Sequence, residues 1–131
     1  MRTQNDLIAN SEKSLTDRID SARAAYAALL ESSLKRVVTV LSGLEGVRRI
    51  SLVGSYARGR ADLFTDLDIL VVMDTDLSFI DRLRMLYPLL ALPVDLDLLC
   101  YTPGELERMQ DRPFIKHLRR EEVVLYETST S

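Results

Sequence analysis

The stretch that decides the fold reads ISLVGSYARGRADLFTDLDILVVM and occupies residues 50–73. It contains two apolar runs, Ile50 to Val53 and Ile69 to Met73, which are separated by a mostly polar connector. This pattern predicts a strand, a short connection and a second strand. The connection is too short for the crossover that parallel strands need, so we expect the two strands to pair antiparallel.

Polar residues stand where the two predicted strands face each other. Gly54 and Ser55 end the first strand, and Asp66 and Asp68 open the second. Because side chains alternate along a strand, the two aspartates project from the same face, roughly 6–7 Å apart. Carboxylates this close need a counter-charge, and a pair of divalent cations bound to phosphate oxygens is a common source of it. The pattern therefore predicts a site for metal ions and nucleotide phosphates.

The residue types in this pattern suit that chemistry. Gly54 lets a phosphate approach the backbone because it has no Cβ, and Ser55 offers a hydroxyl and an N–H to phosphate oxygens. Asp66 and Asp68 supply the carboxylate oxygens that Mg²⁺ prefers. Solvent-exposed edge or loop aspartates are the alternative, which is disfavoured because one of the most apolar segments of the chain follows them.

A third carboxylate is expected from residues 93–106, which read PVDLDLLCYTPGEL. An apolar strand, Val94 to Cys100, is followed by a helix start in which Thr102 caps and Glu105 sits three residues later. Both aspartates of this segment lie on one strand face. A long helical connection can return this strand parallel to the second one, which aims its aspartates at the same pocket.

Other elements follow from the apolar periodicity and the capping residues. Helices are predicted over Leu77–Leu90 and Pro113–Arg119, and a last strand over Val123–Tyr126.

These elements together resemble the nucleotidyltransferase superfamily that includes DNA polymerase beta, and within it the minimal nucleotidyltransferases. That branch carries Gly-Ser, ten residues and Asp-x-Asp, then a later aspartate, an apolar run and Tyr-Thr-Pro-x-Glu. Counting back from Tyr-Thr-Pro places the later aspartate at Asp97, with Asp95 as the second candidate. Relatives carry a basic residue at the place of Arg58, which either neutralises phosphate charge or pairs with Asp62 or a helix residue. The resemblance covers roughly residues 34–127.

The resemblance implies a nucleotidyltransferase fold of the α/β (α+β) class, with a small mixed β-sheet flanked by helices. A long N-terminal helix, which the resemblance does not explain, is added by the apolar periodicity of that part of the chain. It also implies an enzyme that transfers a nucleoside monophosphate, AMP from ATP, to a hydroxyl by a two-metal mechanism. Mg²⁺ binding and catalysis are assigned to Asp66, Asp68 and Asp97, and nucleotide binding to Gly54, Ser55 and Arg58. Asp97 would also take the proton of the attacking hydroxyl.

A protein partner is implied in the same way. Minimal nucleotidyltransferases often occur beside a HEPN-domain protein, so the resemblance suggests an antitoxin that AMPylates a HEPN toxin. The alternative is a catalytically idle binding module of the same fold, which neutralises a partner protein by contact.

The 131 residues are expected to form a single domain, 1–131. Residues 1–10 are predicted to be a flexible tail, and residues 11–42 a helical N-terminal extension, either as one helix or as two that break near Ser32 and Ser33. We expect its first half to pack on a partner or on a second copy in a homo-oligomer, because an apolar stripe in water is a liability.

Composition excludes several classes of protein. The net charge is −3, from 20 acidic and 17 basic residues, which disfavours a nucleic-acid partner. No apolar run approaches the ~18 residues of a membrane span, and the first residues lack a signal-peptide core, so we expect a cytoplasmic protein without a membrane partner. With Cys100 as its single cysteine, the chain has no internal disulfide.

Overall fold

The computed structural model describes residues 4–128, and side chains from residue 14 onward. Its elements, in chain order, are α1 (Gln4–Ser42), β1 (Val47–Val53), α2 (Gly54–Ala57), β2 (Leu67–Met73), α3 (Phe79–Leu86), a 3₁₀ turn (Tyr87–Leu89), β3 (Leu96–Tyr101), α4 (Pro103–Arg108), α5 (Pro113–Glu121) and β4 (Val123–Glu127). The fold class predicted from the sequence, a small mixed sheet flanked by helices with a long N-terminal helix, is confirmed.

The four strands form one mixed sheet in the order β3-β2-β1-β4. β1 is antiparallel to both β2 and β4, while β3 runs parallel to β2. The pairing predicted for the first three strands is therefore confirmed. In this register Asp68 lies opposite Val53 of β1 on one side and Asp97 of β3 on the other. The end of β1 and the starts of β2 and β3 thus meet at one edge of the sheet.

Helix α1 packs on one face of the sheet and is continuous over 39 residues, so it is one helix rather than two. Its C-terminal half is buried in the main core through Leu30, Val37 and Leu41. In its N-terminal half Leu15 is 53% exposed. The helix begins at Gln4, seven residues earlier than the predicted start. Residues 1–3 of the predicted tail lie outside the described residues, and the flexibility of residues 1–10 stays a prediction.

The opposite face of the sheet is covered by α4 and α5. A second apolar cluster forms there, made of Val53, Leu70, Val72, Leu106, Ile115 and Leu118. Side chains alternate along a strand, so Asp68 lies on the same face as Leu70 and Val72. The aspartate therefore opens toward α5 rather than toward α1.

The end of β3 is fixed by a buried arginine on α3. The guanidinium of Arg82 donates to the carbonyl oxygens of Leu77 and Cys100 and to the Glu105 carboxylate, the last at 2.6 Å. Glu105 also completes the predicted capping box with Thr102 at the start of α4. These bonds connect the end of β3 to α3 and to the start of α4. No helix within residues 4–128 has the length and hydropathy that a bilayer crossing requires.

Candidate active site

The turn after β1 brings the backbone against a carboxylate of β2. Gly54 has a φ of +78°, a conformation that residues with a side chain rarely adopt. A Cβ at this position would lie 2.1 Å from the Asp68 Oδ2 atom. Both the backbone geometry and the space therefore require glycine here, and Ser55 follows at the mouth of the cleft.

Asp68 and Asp97 face each other across the β2–β3 pair. The pKa of Asp68 is raised to about 6, first by burial and then by the charge of Asp97 and a side-chain hydrogen bond to it, with smaller contributions from Asp66 and Glu121. The hydrogen bond means that the two carboxyls share a proton when Asp68 is protonated. A cation between them would replace that proton.

Asp66 lies beside this pair rather than within it. It is half-buried and lines a cavity of about 550 Å³. This cavity shares Ser55 and Asp68 with the neighbouring cleft that Asp97 lines, which is the main cleft of the site. The three predicted metal ligands therefore surround one corner of the sheet, but they are divided between two neighbouring cavities.

Of the two candidates on β3, Asp97 is the one next to Asp68. Asp95 is exposed, and its backbone oxygen accepts a hydrogen bond from the N–H of Leu67. The charge of Asp95 acts instead on Tyr26 of α1. Burial raises the pKa of this tyrosine, and the charges of Asp95 and Asp66 raise it further. The register thus selects Asp97 on geometry, while its chemical role stays a prediction.

The side chains suit a divalent cation by their donor type, although they are not drawn together around one. Among the described residues, no group of three or more His, Cys, Asp or Glu side chains is arranged to hold a metal ion. The half-buried carboxyl of Asp68 and the exposed carboxyl of Asp97 nevertheless offer the hard oxygen donors that Mg²⁺ prefers. The Asp68–Asp97 pair is therefore chemically suited to bind a divalent cation.

The main cleft has a volume of about 440 Å³. Five of the six predicted site residues line it, namely Gly54, Ser55, Arg58, Asp68 and Asp97. Its other wall comes from β3 and α5 and consists of Leu99, Phe114, His117, Leu118 and Glu121. The cleft thus pairs a polar floor with a partly apolar wall.

Glu121, at the end of α5, is a residue of this cleft that the sequence did not indicate. Its carboxylate accepts the backbone N–H of Gly54 at 3.0 Å and the Arg58 guanidinium at 2.6 Å. Of the two partners expected for Arg58 in an ion pair, the helix residue is the one observed, whereas Asp62 pairs with Arg23. Burial raises the pKa of Glu121, but its hydrogen bonds to Gly54 and Arg58 outweigh burial and the net pKa is lowered.

Residues 34–129 match the family model described as a nucleotidyltransferase domain. The chain belongs to this family. The match spans nearly three quarters of the 131 residues and begins inside α1, so the first part of that helix lies outside it. The resemblance to nucleotidyltransferases that the motifs indicated is therefore confirmed by the family match.

Solved structures share the fold. A nucleotidyltransferase from Sulfolobus solfataricus is 20% identical, with a TM-score of 0.51, over 83% of this chain and 86% of that one. A toxin–antitoxin structure with AMP-PNP is 22% identical, with a TM-score of 0.51, over 76% of this chain and 74% of that one. At these identities the likeness concerns the fold alone. No curated protein matches the chain.

Proposed function

We propose that the protein is a Mg²⁺-dependent nucleotidyltransferase that transfers AMP from ATP to a hydroxyl group of a HEPN-type toxin, with release of pyrophosphate, and so acts as the antitoxin. The observation that carries the proposal is the meeting of the Asp68–Asp97 pair with the Gly54–Ser55 turn in one cleft. Family membership supports the class of reaction. The choice of ATP, of Mg²⁺ and of a toxin as acceptor goes beyond what family membership supports.

The turn after β1 is the natural place for the triphosphate. Gly54 lets phosphate oxygens approach the backbone, and the hydroxyl of Ser55 offers them a donor. Arg58 brings a positive charge to the same rim, where its guanidinium remains about half exposed. These groups orient the α-phosphorus toward the carboxylates across the cleft.

The carboxylates complete the site. Asp68 and Asp97, with Asp66 beside them, would hold Mg²⁺, which when bound neutralises charge on the phosphate oxygens. Asp97 is exposed and can reach an incoming acceptor, so we assign to it the removal of the proton from the attacking hydroxyl. Asp68 lies deeper and holds the position of Asp97 across the strand pair.

A protein acceptor agrees with two features. The N-terminal half of α1 exposes apolar side chains, including Leu15 and Ile19, on which a partner or second copy could pack. One structure with the same fold is a toxin–antitoxin with AMP-PNP. The net charge of −3 disfavours a nucleic-acid acceptor. We further propose that residues 1–131 act as one domain, in the cytoplasm.

The proposal is tested by incubating the protein with α-labelled ATP, Mg²⁺ and a HEPN protein encoded beside it. We expect label on the HEPN protein, and its loss in the double variant Asp66→Asn with Asp68→Asn. Asp76→Asn is the control, because it removes one negative charge from an exposed turn away from the cleft.

One observation favours the alternative of an idle binding module, since the Gly54 N–H and the Arg58 guanidinium are already engaged by Glu121. Growth of cells that express the partner separates the two functions. An enzyme loses its protective effect in the double variant, whereas an idle module protects as well as the wild type does.

A further inference from the structure

Two donors of the cleft, the Gly54 N–H and the Arg58 guanidinium, are occupied by a carboxylate of the same chain. One oxygen of Glu121 accepts the Gly54 N–H, and the other accepts Arg58 and lies 3.3 Å from the Nε2 atom of His117. Only 9% of the Glu121 side chain is exposed. Its carboxylate is therefore a built-in anion, placed where the proposed function puts phosphate oxygens.

Glu121 cannot share these donors with a phosphate. A backbone N–H makes one strong hydrogen bond, so a phosphate oxygen that accepts from Gly54 must replace the carboxylate there. The carboxylate also adds a fourth negative charge to a corner that already holds Asp66, Asp68 and Asp97. A polyphosphate bound beside it would be repelled at short range.

Glu121 also has room to leave. It is the last residue of α5, with only Glu122 between it and β4, and the cleft that it lines measures about 440 Å³. A change of side-chain rotamer into this space would break both contacts without a movement of the sheet. Arg58, which is about half exposed, would keep its charge at the rim and turn to the incoming phosphate.

We propose that Glu121 is an internal competitor for the phosphate-binding donors of the cleft, and that a polyphosphate chain must displace it to bind. This inference rests on the proposed function, because it takes the turn and Arg58 as the groups that bind phosphate. Glu121 thereby weakens the binding of free polyphosphates and keeps the turn in shape while the cleft holds none.

The test uses the full chain and inorganic tripolyphosphate with Mg²⁺, titrated by calorimetry. Glu121→Gln keeps an oxygen that can accept the Gly54 N–H but removes the charge, so we expect it to bind tripolyphosphate about tenfold tighter than the wild type. Glu122→Gln is the matched control. It removes the same charge one residue later, from a side chain that faces Arg49 instead, and we expect an affinity within about twofold of the wild type.

A second measurement follows the wild-type side chain itself. With ¹³C-labelled glutamate side chains, the carboxyl resonance of Glu121, assigned by its absence in Glu121→Gln, should shift as tripolyphosphate saturates the wild type. An unchanged resonance at saturation overturns the inference, and so does equal or weaker binding by Glu121→Gln, or no binding by either protein. The labelled-ATP assay is a separate readout. Tighter binding by the variant without any transfer would leave this inference standing and refute the proposed function.

Discussion

Replacing Asp68 by asparagine should stabilise the metal-free protein at neutral pH. Burial, together with the charge and hydrogen bond of Asp97, raises the pKa of Asp68 from 3.8 to about 6 in the folded state. The folded protein therefore keeps a proton that the unfolded chain loses between these two values. The stability from that proton is fully present below pH 3.8 and is lost as the pH rises through 6.

The magnitude follows from the size of the pKa shift. At 1.36 kcal/mol per unit, the shift corresponds to about 3 kcal/mol, and solvent screening of this half-buried group reduces it to about 1–2 kcal/mol. Asparagine keeps the shape without the charge, so at pH 7.5 the variant should gain that amount. For a chain of this size the gain raises Tm by about 3–6 °C.

The assay is urea or thermal unfolding of the wild type and Asp68→Asn in chelator, at pH 7.5 and at pH 5. The difference in the free energy of unfolding should fall to about half at pH 5, because the wild-type carboxyl is then largely protonated in the fold. Asp76→Asn controls for the change in net charge. A variant that is destabilised at pH 7.5, or equally stabilised at both pH values, would refute the reasoning.

Three further substitutions test the turn beside the cleft, the core under α1 and the end of β3. Gly54→Ala should lower the unfolding free energy by more than about 3 kcal/mol and abolish ATP binding, because its Cβ would meet the Asp68 carboxylate. Gly59→Ala has a similar φ, +83°, but its Cβ would enter open space, so it should cost only about 1 kcal/mol. Leu30→Ala in the core should cost about 2–5 kcal/mol by urea unfolding, against about 0.5 kcal/mol or less for the more exposed Leu29→Ala. Arg82→Ala leaves buried acceptors and a carboxylate without their donor, so it should cost about 3–5 kcal/mol in the same assay.

The parts of the fold that depend on local patterns could be predicted from the sequence. The apolar runs on either side of a short connection indicated the β1–β2 pair, and the Thr102–Glu105 capping box indicated α4. The long connection before the third strand indicated that this strand runs parallel to β2, and in the structure that pairing puts Asp97 next to Asp68. These inferences need only neighbouring residues and the geometry of a strand or a helix end.

The parts that depend on distant residues could not be predicted. The choice of Asp97 over Asp95 came from the family resemblance, because the register of β3 on β2 that decides it is fixed by no local pattern. The contact between Gly54 and Glu121 joins residues 67 positions apart, and it exists only because α5 packs beside the end of β1. The sequence showed Glu121 as one of two adjacent glutamates, with nothing to separate its role from that of Glu122.

The central claim is that the Asp68–Asp97 pair makes the cleft a nucleoside triphosphate site that depends on a divalent cation. Calorimetric titration of ATP into the wild type, with Mg²⁺ and with chelator, tests this most directly, and Asp97→Asn serves as the variant that removes half of the pair. The account predicts saturable binding with Mg²⁺, and at least about tenfold weaker binding both in chelator and in Asp97→Asn. Equal affinity in chelator, or an undiminished affinity in the variant with Mg²⁺ present, would contradict it.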